Sequence, residues 1–403
     1  MTAVGVAKQL RYRVETVWGT PPGPTGAQLL RRTSSTLALT KETFQSAEKS
    51  SHYQLLDMRH GQRQVSGAIE GELSCRTYSD FVAAALRRDF TLLPAMTGLS
   101  ITIAGTGPTW TVTRSAGSYL TDGVKIGHVI RLTAGAFNTA NSNKNLLVTA
   151  LTATVATVRV INGTALAAEG PIASATVSVP GRITHAPVSA HTDRSFSVEE
   201  WHSDILQSEL FTGCKVSSMR MAVPPNGMAT IGFDFMGRDV VTATTAYYTS
   251  PTAETETGVL AGANGLLIVG GAAVAVVTGV DFTVAGGHTT QPVVGSLTMP
   301  EPAEGRILVT GNFTALFEST VLRNTFYDET EVGLILALAE SPAAASHVLS
   351  VSLPRIKTTT ATKDDPDTAI THTFGFSALL NIAGGAGLAT ERTTIAVQDT
   401  AVI

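Results

Sequence analysis

The stretch Val216-Ser-Ser-Met-Arg-Met-Ala-Val-Pro224 runs on to Ile231-Gly-Phe-Asp-Phe-Met236, and Val348-Leu-Ser-Val-Ser-Leu-Pro354 runs on to His372-Thr-Phe-Gly-Phe-Ser377. Each reads as an alternating strand, a polar connection and a second strand carrying Phe-x-Phe, because successive side chains of a strand point to opposite faces. Residues 216–238 and 348–378 therefore read as one pairing unit written twice, with no catalytic residues kept between the copies. A repeat of this size predicts two similar domains rather than a short-repeat solenoid, and points to a building block.

Working outward, the first copy opens in the strand-like text Leu29 to Thr40. A polar stretch from Lys41 to His60 follows, then the alternating strand Val65 to Ser74. Tyr78 to Arg88 reads as a short helix that Thr77 or Ser79 can cap. The second copy keeps that order: strand text from Val276 to Val284, a polar stretch Gly286 to Gly305, the strand Leu308 to Phe317, and helical text around Tyr327 to Ala339. Val65-Ser-Gly-x-Ile sets against Val309-Thr-Gly-x-Phe. Between the first helix and the Ser195-Phe-Ser-Val strand, roughly Leu99 to Pro180 has no counterpart and reads as a small inserted β-barrel or β-sandwich. The expected fold is mainly β, with two tandem sandwich or barrel domains, each with a short flanking helix. The boundaries are 1–98 with 181–248, the insertion 99–180, and 249–403.

Alternation assigns faces. Val65, Ile69 and Leu73 point one way and Ser66, Ala68, Glu70 and Glu72 the other. Ala229, Ile231, Phe233 and Phe235 oppose Thr230, Gly232, Asp234 and Met236. Val309, Phe313 and Phe317 oppose Thr310, Asn312 and Thr314, while Phe374 and Phe376 oppose Thr373 and Ser377. Each copy thus predicts sheets with one packed and one wetted face, and a wetted face is by default plain solvent surface.

Composition supports the β reading: of 403 residues only 15% are charged and 6% aromatic, and Ala, Thr, Val and Ser dominate. A net charge of −4 argues against a protein that wraps nucleic acid through neutralised phosphates. The two cysteines, Cys75 and Cys214, lack a CxxC neighbour and read as buried, reduced residues. The N-terminal text does not resemble a signal peptide, which predicts a subunit made in the cytoplasm. Val259 to Val277 carries no charge, yet Asn264-Gly265 and Gly270-Gly271 are turn pairs, so it reads as a buried hairpin rather than a membrane span.

Motifs of catalysis are missing from the text: there is no GxSxG, Walker A, HExxH or strand-linked GxGxxG. His185, His191 and His202 lie too far apart for usual ligand spacing. Asp364-Asp365-Pro-Asp367 lacks the glycine turn and closing glutamate of a calcium loop and reads as an acidic surface turn. No catalytic residue, metal ligand or cofactor is assigned.

The ordered series Leu30-Arg-Arg-Thr-Ser-Ser-Thr-Leu-Ala-Leu, Thr43-Phe-Gln-Ser-Ala-Glu, Arg59-His-Gly-Gln-Arg, Gly67-x-Ile-x-Gly-Glu-Leu-Ser and Tyr78-x-Asp-Phe-x-Ala-Ala-Leu-Arg resembles the tail tube (major tail) proteins of long-tailed, non-contractile bacteriophages. It resumes at Phe211-Thr-Gly-Cys, Pro224-Pro-Asn-Gly and Phe233-Asp-Phe-Met-Gly-Arg-Asp, and Tyr12-x-Val-Glu-Thr-x-Trp-Gly-Thr-Pro is similar to the family's N-terminus. The resemblance implies β-sandwiches whose inner sheets join around a ring, with rings stacked into a hollow tube that conducts DNA. Two copies per chain imply a homotrimeric ring with pseudo-six-fold symmetry, and the insertion resembles the extra β-domains on tube exteriors. The implied partners are the chain itself, the tape measure protein, the tail terminator and the distal tail protein, with DNA passing transiently, no membrane, and the virion tail as location.

Given that resemblance, the polar stretch Lys41 to Gln64, too long for an ordinary hairpin loop and with no structure of its own, is expected to be an arm reaching a neighbouring ring. Its candidates are Lys41, Glu42, Thr43, Phe44, Gln45, Glu48, Lys49, Arg59, His60 and Arg63, and Gly286 to Gly305 is the second-copy counterpart. The lumen candidates are Glu70, Glu72, Asp234, Asn312 and Thr314, because acidic or neutral walls let DNA slide. Arg220 lies on a comparable face and predicts a mixed wall. The rivals are the tube of a contractile tail or a secretion-type injection machine, and a surface carbohydrate-binding adhesin.

Overall fold

The computed structural model describes residues 2–49, 51–273, 277–317, 321–364 and 369–403, and its strands far outweigh its helices. The N-terminal part contributes β1 (Lys8–Val14), β2 (Ala38–Gln45), β3 (Met58–Glu72) and helix α1 (Ser79–Leu86). After a separate barrel come β4 (Phe196–His202), β5 (Gln207–Val223) and β6 (Thr230–Gly237). The C-terminal part contributes β7 (Gly265–Val269), β8 (Val277–Ala285), β9 (Leu308–Leu316), α2 (Val321–Tyr327), β10 (Val332–Ala339), β11 (Val348–Lys363), β12 (Thr371–Ala378) and β13 (Ala396–Asp399).

Antiparallel pairings run β2-β3-β6-β5-β8-β9-β12-β11 without a break, an eight-stranded inner sheet. Two long strands leave it: the first halves of β5 and β11 bend into outer sheets, β1-β4-β5 on one side and β7-β10-β11-β13 on the other. Ile69, Met219, Phe233, Phe235, Val284, Phe313, Phe374 and Phe376 are each no more than 2% exposed and share one core between inner and outer sheets. Phe81 of α1 sits in that core, with its ring 5.4 and 5.3 Å from those of Phe233 and Phe235.

The faces predicted for β3 and β6 are those observed, and the Val-x-Gly match is realised in register. Gly67 stands opposite Phe235 and Ile69 opposite Phe233, as Gly311 stands opposite Phe376 and Phe313 opposite Phe374. Glycine is required at both sites: a Cβ on Gly311 would lie 2.3 Å from the Asp281 carbonyl, and one on Gly67 (φ 148°) 2.4 Å from that of Thr36.

Several expectations are corrected. Val348 to Pro354 does not occupy the place of Val216 to Pro224. Val216 opposes Phe235, and its counterpart opposite Phe376 is Thr358. Val348–Leu353 instead pairs with β10 and β13 in the outer sheet, and Pro354 lies at a register shift in mid-strand, where a missing N–H is tolerated. The text Tyr327 to Ala339 is not helical as a whole. The helix ends at Tyr327, and Val332–Ala339 is a strand whose continuous apolar run is buried between β7 and β11. The stretch Lys41 to Gln64 has structure of its own at both ends, since residues 41–45 belong to β2 and 58–64 to β3. Neither Thr77 nor Ser79 caps α1: the cap position is Tyr78, without a side-chain bond. Phe317 lies past the end of β9, 37% exposed and stacked on His372. In the uncharged stretch 259–277 the turn is at Gly270-Gly271 alone, and Asn264 ends a 3-10 turn. Residues 274–276 there, and Asp365 to Asp367 of the acidic turn, lie outside the described residues. Both cysteines are buried and free.

Six strands between Met96 and Ser178 close a barrel with its own core around Trp110, Tyr119, Ile130 and Leu146. Its Val129 and Leu147 pack on Ile268, Ile335 and Val348 of the outer sheet. The Gln398 side chain accepts from the Val129 N–H at 2.6 Å and donates back to its carbonyl at 3.1 Å. No helix among the described residues is long and apolar enough to cross a membrane.

Candidate functional site

The inner sheet's second face carries the lumen candidates. Glu70 and Glu72 sit on β3, Asp234 on β6, and Asn312 and Thr314 on β9, all on the side away from the phenylalanines. Across the face positions of 66–72, 218–222, 230–236, 281–283, 310–314 and 373–377, four carboxylates (Glu70, Glu72, Asp234, Asp281) meet one guanidinium, Arg220. Arg220 is clamped between Asp234 and Glu70, the latter at 3.2 Å. Gly232 lies between them in register, and a Cβ there would approach the Arg220 guanidinium to 3.2 Å. The clamp neutralises the cation locally, so the face is acidic with a polar remainder. Asn312 donates to Asp281 at 3.2 Å and Thr314 pairs with Thr373 at 3.0 Å.

The arm candidates fall on a two-stranded ribbon. Lys41, Glu42, Thr43, Phe44 and Gln45 belong to β2, while Arg59, His60 and Arg63 belong to β3; Lys41 pairs with Arg63, Thr43 with His60 and Phe44 with Arg59. β6 covers β3 only from Val65 to Glu72, so the ribbon projects beyond the inner sheet. Glu48 and Lys49 lie in the exposed connection at its far end. The 286–305 connection lies alongside: the Arg63 N–H donates to the Leu297 carbonyl and the Met299 N–H to that of Arg63, both at 2.9 Å. Its base is held by buried Arg87, which donates to the carbonyls of Gly305 at 2.7 Å and Gly286 at 2.6 Å. Lys215 fastens the same region through Asp193 at 2.5 Å and Glu301 at 2.7 Å. Burial alone would depress that ammonium; the two carboxylate bonds overcome it and hold the group above lysine's ordinary range.

Ribbon and connection enclose an apolar groove of about 390 Å³ lined by Phe44, His60, Pro292, Val293, Leu297 and Met299. Phe44, Tyr53, Leu55, Leu56, Val294 and Leu297 are each more than half exposed, and so much apolar surface at one tip marks an interaction site. The sequence pattern identified this segment by length and polarity and included Phe44, but not Tyr53, Leu55 and Leu56, which are scattered among polar residues.

The histidines do not converge. His185 lies 2.6 Å from the Arg88 guanidinium, and His191 is exposed. Among the described residues, Glu200, His202 and Glu209 alone bring three ligand-type atoms within 4.8 Å of one another. Glu200 there is held by the Lys8 ammonium at 2.8 Å and the Ser35 hydroxyl at 2.5 Å, an ion-paired closure of the sandwich end.

The candidate site is thus a continuous antiparallel sheet with an acidic face, an apolar tip and, among the described residues, two edges without a strand partner. The sequence model of the phage tail tube protein family matches residues 5–378. The chain belongs to that family and is accordingly a self-assembling structural component of a phage tail. No curated protein matches the chain.

Proposed function

We propose that the chain builds the tail tube of a long, non-contractile phage tail, and that β1 to β6 and β7 to β12 are two copies of one tube-type domain. The observation that carries this is the pairing of β5 with β8, from Ser218 with Ala285 to Val223 with Val280. It joins β2-β3-β6-β5 to β8-β9-β12-β11 edge to edge, in the way neighbouring subunits of a ring would join. Three chains then close a ring with pseudo-six-fold symmetry, which removes the exposed edges, and head-to-tail stacking of such rings gives a filament. The acidic face of Glu70, Glu72 and Asp234, with Asn312 and Thr314, lines the bore and does not trap DNA, since it offers few cations for phosphates to neutralise. The ribbon with Glu48, Lys49 and Phe44 at its tip reaches the next ring, and the barrel stands on the exterior. The tape measure protein inside, and the terminator and distal tail proteins at the ends, complete the tail; subunits are made in the bacterial cytoplasm and end in the virion.

Negative-stain images of purified, concentrated protein test this. Rings or hollow tubes with three chains per layer are expected; monomers at every concentration would falsify the proposal.

A further inference from the structure

We infer that the seam between chains pairs β11 of one copy with β2 of the next in one defined register: Thr360 opposite Thr40, Ala361 opposite Leu39 and Thr362 opposite Ala38. This rests on the ring reading above and specifies its contact.

The register follows by transposing the seam already present within the chain. On one side, Phe233 and Phe374 oppose Met219 and Ala361, so Ala361 holds the place of Met219. Both strands shift register at the same point, between Val216 and Ser218 and between Thr358 and Thr360. On the other side, Val309 opposes Val284 and Val65 opposes Leu39, so Leu39 holds the place of Val284. Within the chain Met219 faces Val284 and Ser218 faces Ala285; the transposed pairs are Ala361 with Leu39 and Thr360 with Thr40.

Burial supplies an independent argument. Met219 and Val284 are 0% and 1% exposed at the internal seam. Ala361 and Leu39 pack against the same core but are only partly buried, because each lacks the strand that covers its counterpart. Joining the two edges completes that core. Neither edge is blocked by a proline or a further strand: β2 and residues 356–363 of β11 contain no proline, and among the described residues no further strand pairs with residues 358–363 or with the outer side of β2. On the opposite face the new pairs place Thr360, Thr40 and Thr362 beside the acidic wall, so the seam stays polar towards the bore.

The test uses full-length double variants. Thr40→Cys/Thr360→Cys is compared with Glu42→Cys/Thr360→Cys, each assembled and then treated with a short bis-maleimide; native Cys75 and Cys214 are buried and do not compete. These positions lie at opposite ends of one chain's inner sheet, so any link is between chains. The inferred register predicts at least roughly tenfold more linkage for the Thr40/Thr360 pair, in a ladder ending at three chains. Tubes that form normally while the Glu42/Thr360 pair links better, or while neither pair links, overturn the register and leave the tube reading intact. Absence of any assembly by the unsubstituted chain removes both.

Discussion

At the residue scale, a few positions bear constraints that neighbours do not. Gly311 lies under Phe376, where an added Cβ would meet the Asp281 carbonyl and the Phe376 ring, at 2.7 Å in the latter case. Neither can yield without moving a core strand, so Gly311→Ala is expected to cost about 1–3 kcal/mol in urea unfolding. Gly5→Ala, with nothing within 4 Å, is the control and should stay within about 0.5 kcal/mol. His128 is a second such residue. It is buried beside the barrel, its Nδ1 accepts the Lys125 N–H at 3.1 Å, and burial first, then Lys125 and His185, push its pKa down to about 3. The folded state therefore holds it neutral, whereas the unfolded chain protonates it near the ordinary value of 6.5. Its contribution is complete above that value and lost as pH falls towards about 3, by up to about 1.4 kcal/mol per pH unit. His128→Asn keeps an acceptor and should flatten stability against pH between about 6 and 4. Parallel curves for variant and wild type would mean that the imidazole is already protonated in the fold. Asp399, raised to about 6 mainly by burial, acts with the opposite sign, so the comparison must be between variant and wild type rather than on the wild-type curve alone.

At the element scale, the ribbon illustrates what a sequence pattern can and cannot deliver. Its length and polarity marked it as functional, but its strand pairing came from β3 continuing beyond the edge of β6, a relation between distant segments. Replacing residues 43–60 by an Asn-Gly turn keeps β3 from Val65 onward and hence the core pairings. The expected result is folded subunits that form single rings but no tubes; tubes of ordinary length would remove the stacking role from the ribbon. The strand Val332–Ala339 teaches the converse. Leu and Ala favour helices locally, yet this run lies between β7 and β11 with both faces buried, and packing overrides propensity. Likewise, Pro224 and Pro354 suggested an alignment that register refutes, because one proline ends its strand and the other sits at a bulge.

At the scale of the whole molecule, the arrangement is a wall with a braced exterior. The barrel interrupts the N-terminal half in sequence but rests on the outer sheet of the C-terminal half, where the 341–346 loop also grips it. Asn145 and Arg131 donate to the Ser346 carbonyl at 2.9 and 3.0 Å. That bracing ties the two halves together from outside, while the β5 and β8 pairing ties them along the inner sheet. Both faces of the outer sheet of β7, β10 and β11 are covered, so under the assembly proposed above lateral growth would fall to the inner-sheet edges and axial growth to the ribbon.

The sequence by itself determined the β class, the inward and outward faces of β3, β6 and β9, and the burial of Cys75 and Cys214. All of these follow from residue composition and the two-residue period of a strand, which are local properties. Only the tertiary structure decided the order of the eight inner strands, the register of β11, the strand state of Val332–Ala339 and the seat of the barrel. Those depend on which backbone edges and apolar faces meet across hundreds of residues, and no local period records that choice.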